Sequence, residues 1–207
     1  MKFSLIRPAS VLALALGLAS CGGGEDTYPI AGTVNGLVYP GLVLTANGNT
    51  LSVAPPAKAG EDVRFVFPKE LKYGDEFRVT VTGQPAHQTC GIPRELERSS
   101  YGTGGELAQI NAYIQCSINA YEIGGEITGL PGNTELVLAN GSSGGTFTAN
   151  PTVDGVIKYA LPAVQYGVTY GVTVLKQPAG HFCTVQNPTG TMGDEPVTNI
   201  NVTCVRT

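Results

Sequence analysis

Apolar residues recur at alternate positions in short runs along this chain, and Gly, Pro and Asn break the runs every few residues. Tyr28, Ile30 and Val34 fall on one face of an opening run. Phe77, Val79 and Val81 do the same later, leaving Arg78, Thr80 and Thr82 for the other face. Side chains alternate with period two along a strand, so these runs predict strands with one face in a core and one in water. Asn47-Gly48, Asn140-Gly141 and Asp154-Gly155 predict hairpin turns, because both central positions of a tight hairpin tolerate positive φ. No stretch keeps the 3.6-residue period of a long amphipathic helix. The pattern predicts an all-β, antiparallel chain.

The pattern is written twice. Tyr28-Pro29-Ile30-Ala31-Gly32-Thr33-Val34-Asn35-Gly36-Leu37 is matched by Tyr121-Glu122-Ile123-Gly124-Gly125-Glu126-Ile127-Thr128-Gly129-Leu130, an offset of 93 positions. Near that same offset Phe77-Arg78-Val79-Thr80-Val81 meets Tyr170-Gly171-Val172-Thr173-Val174, and Gln84-Pro85 with Cys90 meets Gln177-Pro178 with Cys183. The copies span residues 28–117 and 118–207. About seven short strands separated by turns in each copy predict two tandem immunoglobulin-like β-sandwich domains. Only residues 117–120 separate Cys116 from Tyr121, so a short, stiff rod is expected.

The first 20 residues follow another rule. Lys2 and Arg7 precede an apolar run over residues 11–18, which ends in Leu18-Ala19-Ser20-Cys21. A span needs about 20 apolar residues, and a shorter run behind basic residues reads as an export signal. The ending resembles the lipobox of bacterial lipoproteins. That resemblance implies cleavage before Cys21, acylation of its thiol and new amino terminus, and a membrane partner reached through the lipid. Gly22 follows the cysteine where an aspartate would resemble an inner-membrane retention signal, so the outer membrane of the cell envelope is the expected location. Residues 21–27 then form a flexible lipidated tether, at most about 25 Å long at full extension.

Removal of Lys2 and Arg7 leaves 10 basic residues against 16 acidic ones, a formal charge of −6. Such a surface repels nucleic acid, and no nucleic-acid partner is expected. With Cys21 given to lipid, Cys90, Cys116, Cys183 and Cys204 remain, and an exported chain meets oxidising conditions. Four cysteines allow three pairings. The repeat selects Cys90 with Cys116 and Cys183 with Cys204, since each pair lies within one copy. Cys116 shares its face with Ala112 and Ile114, and Cys204 shares its face with Ile200 and Val202.

The repeat also resembles a class of immunoglobulin-like repeats in secreted and lipid-anchored proteins of Gram-negative bacteria. The second copy carries the full pattern, down to Thr189-Gly190-Thr191 and the closing Asn199-Ile200-Asn201-Val202-Thr203-Cys204. The first departs from it after Cys90. The resemblance implies an architecture and a compartment, not a reaction.

Catalytic and metal chemistry find little support. Gly141-Ser142-Ser143-Gly144-Gly145 fits Gly-x-Ser-x-Gly, but that motif needs a strand before it and a helix after it, and here both flanks are β. His87 and His181 sit in different copies, and a metal needs three or four convergent ligands. Glu61-Asp62, Asp75-Glu76 and Asp194-Glu195 are adjacent pairs, whose side chains diverge on a strand. No catalytic residue, metal ligand or cofactor is expected.

One asymmetry stands out. Cys90 and Cys116 are 26 positions apart, Cys183 and Cys204 only 21. The five extra residues fall in a charged, glycine-rich segment holding Arg94, Arg98 and Tyr101. Loops at one end of a sandwich carry its binding, and Arg and Tyr are common anchors. The expectation is a non-enzymatic structural or protein-interaction module with an envelope protein as partner. The alternative, a small-ligand or carbohydrate binder, requires Tyr101, Tyr113, Tyr159 and Tyr166 grouped on one face.

Overall fold

A computed structural model of the chain describes residues 26–107, 109–141 and 145–207. The stretch read as an export signal, Cys21 and the serines of the Gly-x-Ser-x-Gly stretch lie outside the described residues. The first copy runs β1 (Thr27–Tyr28), β2 (Ala31–Asn35), β3 (Leu42–Ala46), β4 (Asn49–Val53), β5 (Val63–Val66) and β6 (Leu71–Lys72). It continues through β7 (Glu76–Gly83), β8 (Gln88–Gly91), a 3-10 helix (Arg94–Ser100), β9 (Tyr101–Thr103) and β10 (Ala112–Ile118). The second copy runs β11 (Ala120–Thr128), β12 (Leu136–Asn140), β13 (Gly145–Ala149) and β14 (Ile157–Gln165). It closes with β15 (Thr169–Lys176), β16 (His181–Val185), β17 (Thr189–Thr191) and β18 (Val202–Arg206).

Each copy builds two four-stranded sheets. In the first they are ordered β5-β2-β10-β8 and β4-β3-β7-β9; in the second, β14-β11-β18-β16 and β13-β12-β15-β17. Strand-by-strand correspondence follows the sequence repeat. The alternating residues from both sheets of a copy meet in one buried cluster. In the first copy Val34, Leu44, Phe77, Val79 and Ile114 belong to it; in the second, Ile127, Leu138, Val172 and Val202. Arg78 and Thr82 stay exposed and Thr80 is half-buried.

Cys90 is bonded to Cys116 and Cys183 to Cys204, within the copies as the repeat requires. In both bridges the two cysteines face each other across antiparallel strands, β8 with β10 and β16 with β18.

Four expectations are corrected. The sheets are not purely antiparallel: β2 pairs in parallel with β10, and β11 with β18, because the opening strand of each copy lies beside its closing one. Asn47-Gly48 forms the expected hairpin turn with positive φ at both residues; β12 and β13 also close a hairpin after Asn140, but without positive φ at Asn140 or Gly141, and Asp154-Gly155 joins strands of different sheets. Asn140 ends β12 in a buried position, where its Oδ1 accepts the Gly171 N–H at 3.1 Å. Asp154 instead accepts the Gly132 N–H at 2.7 Å. The segment after Cys90 is not a plain loop, as described below. Thr27, placed by sequence in the tether, already belongs to β1, which pairs with β6.

The joint is shorter than its sequence suggests, since Asn119 alone separates β10 from β11. Its N–H donates to His87 O at 2.9 Å, its Oδ1 accepts from Thr89 Oγ1 at 2.7 Å, and its carbonyl accepts the Tyr166 N–H at 2.8 Å. One residue is thus held by both copies.

A candidate interaction site in the first copy

The inserted segment folds onto the edge of a sheet. Ser99 Oγ and Ser100 Oγ donate to the carbonyls of Leu96 and Glu97, each at 2.7 Å, and close the 3-10 turns. The chain then straightens into β9, which pairs with β7 so that Tyr101 faces Arg78 and Thr103 faces Glu76. Glu106 holds the far end: its Oε2 accepts from the N–H and Oγ1 of Thr103 at 3.1 and 3.3 Å. Local side-chain bonds to the backbone thus order this charged, glycine-rich segment.

This arrangement brings two arginines to one ring. The Arg78 guanidinium lies 4.9 Å from the centre of the Tyr101 ring and that of Arg98 lies 5.0 Å from it. Both contacts fall within cation–π range. Arg98 also reaches Glu106 Oε1 at 3.4 Å. A hydrogen bond with the Tyr101 side chain, then the charges of Tyr101 and Glu106, raise the Arg98 pKa above its ordinary value. Beside the ring a groove of about 330 Å³ is lined by Asn47, Glu76, Phe77, Arg78, Tyr101 and Thr103.

The site unites Arg98 and Tyr101, two of the three residues singled out by sequence. Arg94, exposed at the start of the 3-10 helix, does not line the groove. Arg78 was missed. Its alternation marked only a water-facing position, and its meeting with Tyr101 depends on a strand register that sequence spacing does not specify. Comparison of the copies carries the missing signal: Arg78 stands where the second copy has Gly171, and Gly171 faces Thr189.

A second groove has the opposite character. About 470 Å³ in volume, it lies where β11 parts from the segment before β18, and Glu122, Gly124, Lys158 and Asn199 line it. A groove of about 300 Å³ sits at the matching place in the first copy, lined by Gly32, Arg64, Phe65 and Asn111. The feature is present in both copies, with Arg64 and Lys158 at corresponding register positions, and belongs to the fold.

The remaining candidates are dispersed. Tyr159 is buried, and its hydroxyl donates to Ile200 O at 2.6 Å. Burial pushes its pKa up to about 12. Tyr166 stacks on His87 with ring centres 3.6 Å apart, and Tyr39 meets both rings edge-on. Tyr101, Tyr159 and Tyr166 therefore have separate engagements and do not form one aromatic platform. His87 Nδ1 donates to the Asp194 carboxylate at 2.8 and 2.9 Å, which joins the copies. His181 Nδ1 lies 3.2 Å from its neighbour's carbonyl at Ala179. Among the described residues no three of His, Cys, Asp and Glu converge on a metal position, and no helix is long and apolar enough to cross a membrane.

No protein-family model and no curated protein matches the chain. Among solved structures it is similar to a leucine-rich repeat protein from Bacteroides thetaiotaomicron, with 13% identity and a TM-score of 0.20. The match covers 84% of this chain and 26% of that one.

Proposed function

We propose that the chain is a non-enzymatic lipoprotein of the bacterial envelope, a structural or protein-interaction module made of two tandem immunoglobulin-like β-sandwich domains. In this reading Cys21 carries the lipid and the outer membrane is the site of attachment. The single observation that favours an interaction role is the Arg78–Tyr101–Arg98 cluster. Arg98 and Tyr101 stand on the segment by which the first copy departs from the second after Cys90, and Arg78 on the strand β9 pairs with. The export signal and lipobox supply the compartment, and paired sheets around a separate buried cluster in each copy, each with its own disulfide, support the sandwich reading.

Two experiments test it. Mass spectrometry of the chain recovered from envelope membranes is expected to find an acylated amino-terminal Cys21; an unmodified thiol there would remove the anchor. Affinity capture from envelope extracts, compared between the wild-type chain and an Arg78→Ala/Arg98→Ala/Tyr101→Ala variant, is expected to lose its partner in the variant. Equal recovery would remove the cluster as the interaction element.

A further inference from the structure

The duplicated fold contains its own control. In both copies the seventh and ninth strands, or their counterparts β15 and β17, pair antiparallel over three residues in the same register. At the facing position the second copy needs only Gly171 and Thr189, while the first has Arg78 and Tyr101. The pairing therefore forms without a cation or a ring, and the Arg and Tyr serve something other than the sheet.

Their geometry indicates what that is. Arg78 is exposed and touches the Tyr101 ring, but among the described residues it pairs with no carboxylate. Glu76 lines the same groove without bonding to it. Arg98 approaches the same ring and is steadied by Glu106, itself tied to Thr103. Both guanidinium centres are thus within 5.0 Å of one ring centre in a chain whose formal charge is −4. A guanidinium is a planar fork matched to oxyanions, and stacking on an aromatic ring fixes its plane before a ligand arrives. One carboxylate is satisfied by one such fork, whereas a phosphate group has oxygens enough for two.

We propose that Arg78, which lines the groove, and Arg98, both held on the ring of Tyr101, form a binding site for a phosphate group. The site rests on the reading of the first-copy segment as the interaction element and names the chemistry it takes. Its position also bears on the source of the phosphate. Past β9, the Gly104 carbonyl accepts the Gly74 N–H at 2.9 Å, next to β6, and β6 pairs with β1, where the described chain begins. The site is thus linked through β6 to β1, and a lipid headgroup and a free phosphate are both within its chemistry.

The test is calorimetric titration of the intact chain with inorganic phosphate, beside Arg78→Gly, Arg98→Ala and, as a control, Lys58→Ala. Arg78→Gly reproduces the residue found at this place in the second copy, so its sheet is expected to form; near-ultraviolet circular dichroism checks that it has. Saturable binding is expected in the wild type and in Lys58→Ala, weakened about tenfold in Arg78→Gly and in Arg98→Ala. No saturable heat, or equal affinity in all four proteins, would overturn the site. Phosphatidylcholine vesicles with and without phosphatidic acid then separate the sources. A preference for phosphatidic acid that disappears in Arg78→Gly assigns the phosphate to a headgroup, and phosphate binding without that preference assigns it to a soluble ligand. If affinity capture depends on the cluster while phosphate does not bind, the interaction reading stands and the phosphate site falls.

Discussion

Tyr159 and Phe65 do the same work in the two copies. Each faces a glycine across the sheet, Gly125 and Gly32 respectively, and an aromatic ring over a strand glycine restores the packing that the missing side chain gives up. A Cβ on Gly125 would run into the Ile200 carbonyl and one on Gly32 into that of Ala112. Gly125→Ala is therefore expected to cost about 3 kcal/mol, the upper end for overpacking, measured by urea unfolding. Tyr159 adds a hydrogen bond to Ile200 O that Phe65 cannot make. Tyr159→Phe should lose about 1 kcal/mol. It should also change the alkaline limb of stability. With its pKa raised from 10.0 to about 12, the folded chain keeps a proton that the unfolded chain releases in between. The stabilisation is complete below pH 10 and fades as the pH climbs to about 12. Unfolding free energies measured across that range should fall in the wild type and fall less in Tyr159→Phe.

At the level of strands, the Gln-Pro pair before each cysteine has a defined purpose. Gln84 Oε1 accepts the Cys90 N–H at 2.7 Å and Gln84 Nε2 donates to the Cys90 carbonyl at 3.0 Å; Gln177 does the same for Cys183. The amide side chain occupies the outward N–H and C=O of an edge strand, which would otherwise be open to pairing with another chain. Gln84→Ala should cost about 1–3 kcal/mol, because it leaves both groups of a buried cysteine without that partner. Replacing Cys183 and Cys204 by Ala should cost about 3 kcal/mol for a loop of this length, checked by the urea midpoint. Much of this architecture was legible in the chain. Alternation located Phe77 and Val79, and the repeat selected the cysteine pairing. What escaped depends on contacts between distant residues. The Gln84 motif could be seen, but its bonds run to the backbone and leave no mark on residue type. The segment around Arg98 reads as loop because its order comes from Ser99, Ser100 and Glu106 acting locally. The parallel pairing of β2 with β10 is set by sheet order, to which alternation is blind.

For the molecule as a whole, the junction decides how the copies move together. His87, at φ 57°, stacks on Tyr166 and bonds Asp194, with Tyr39 against both rings. Asn119 is clasped from each side. His87→Ala removes the stack and the carboxylate partner, and is expected to broaden the distance distribution between spin labels placed at Ser52 and Thr146. An unchanged width would show that Asn119 and the Tyr39–Tyr166 contact set the geometry without His87. His87 drew notice in the sequence only as a candidate metal ligand, because its partners come from the other copy, 79 and 107 positions away. The parallel opening and closing strands have a mechanical consequence. Tension applied to the two ends of a copy pulls β2 and β10 in opposite senses along their shared ladder, so the bonds between Gly32–Asn35 and Ala112–Gln115 are loaded in shear and must yield together. A hairpin pulled at its open end would instead unzip one bond at a time.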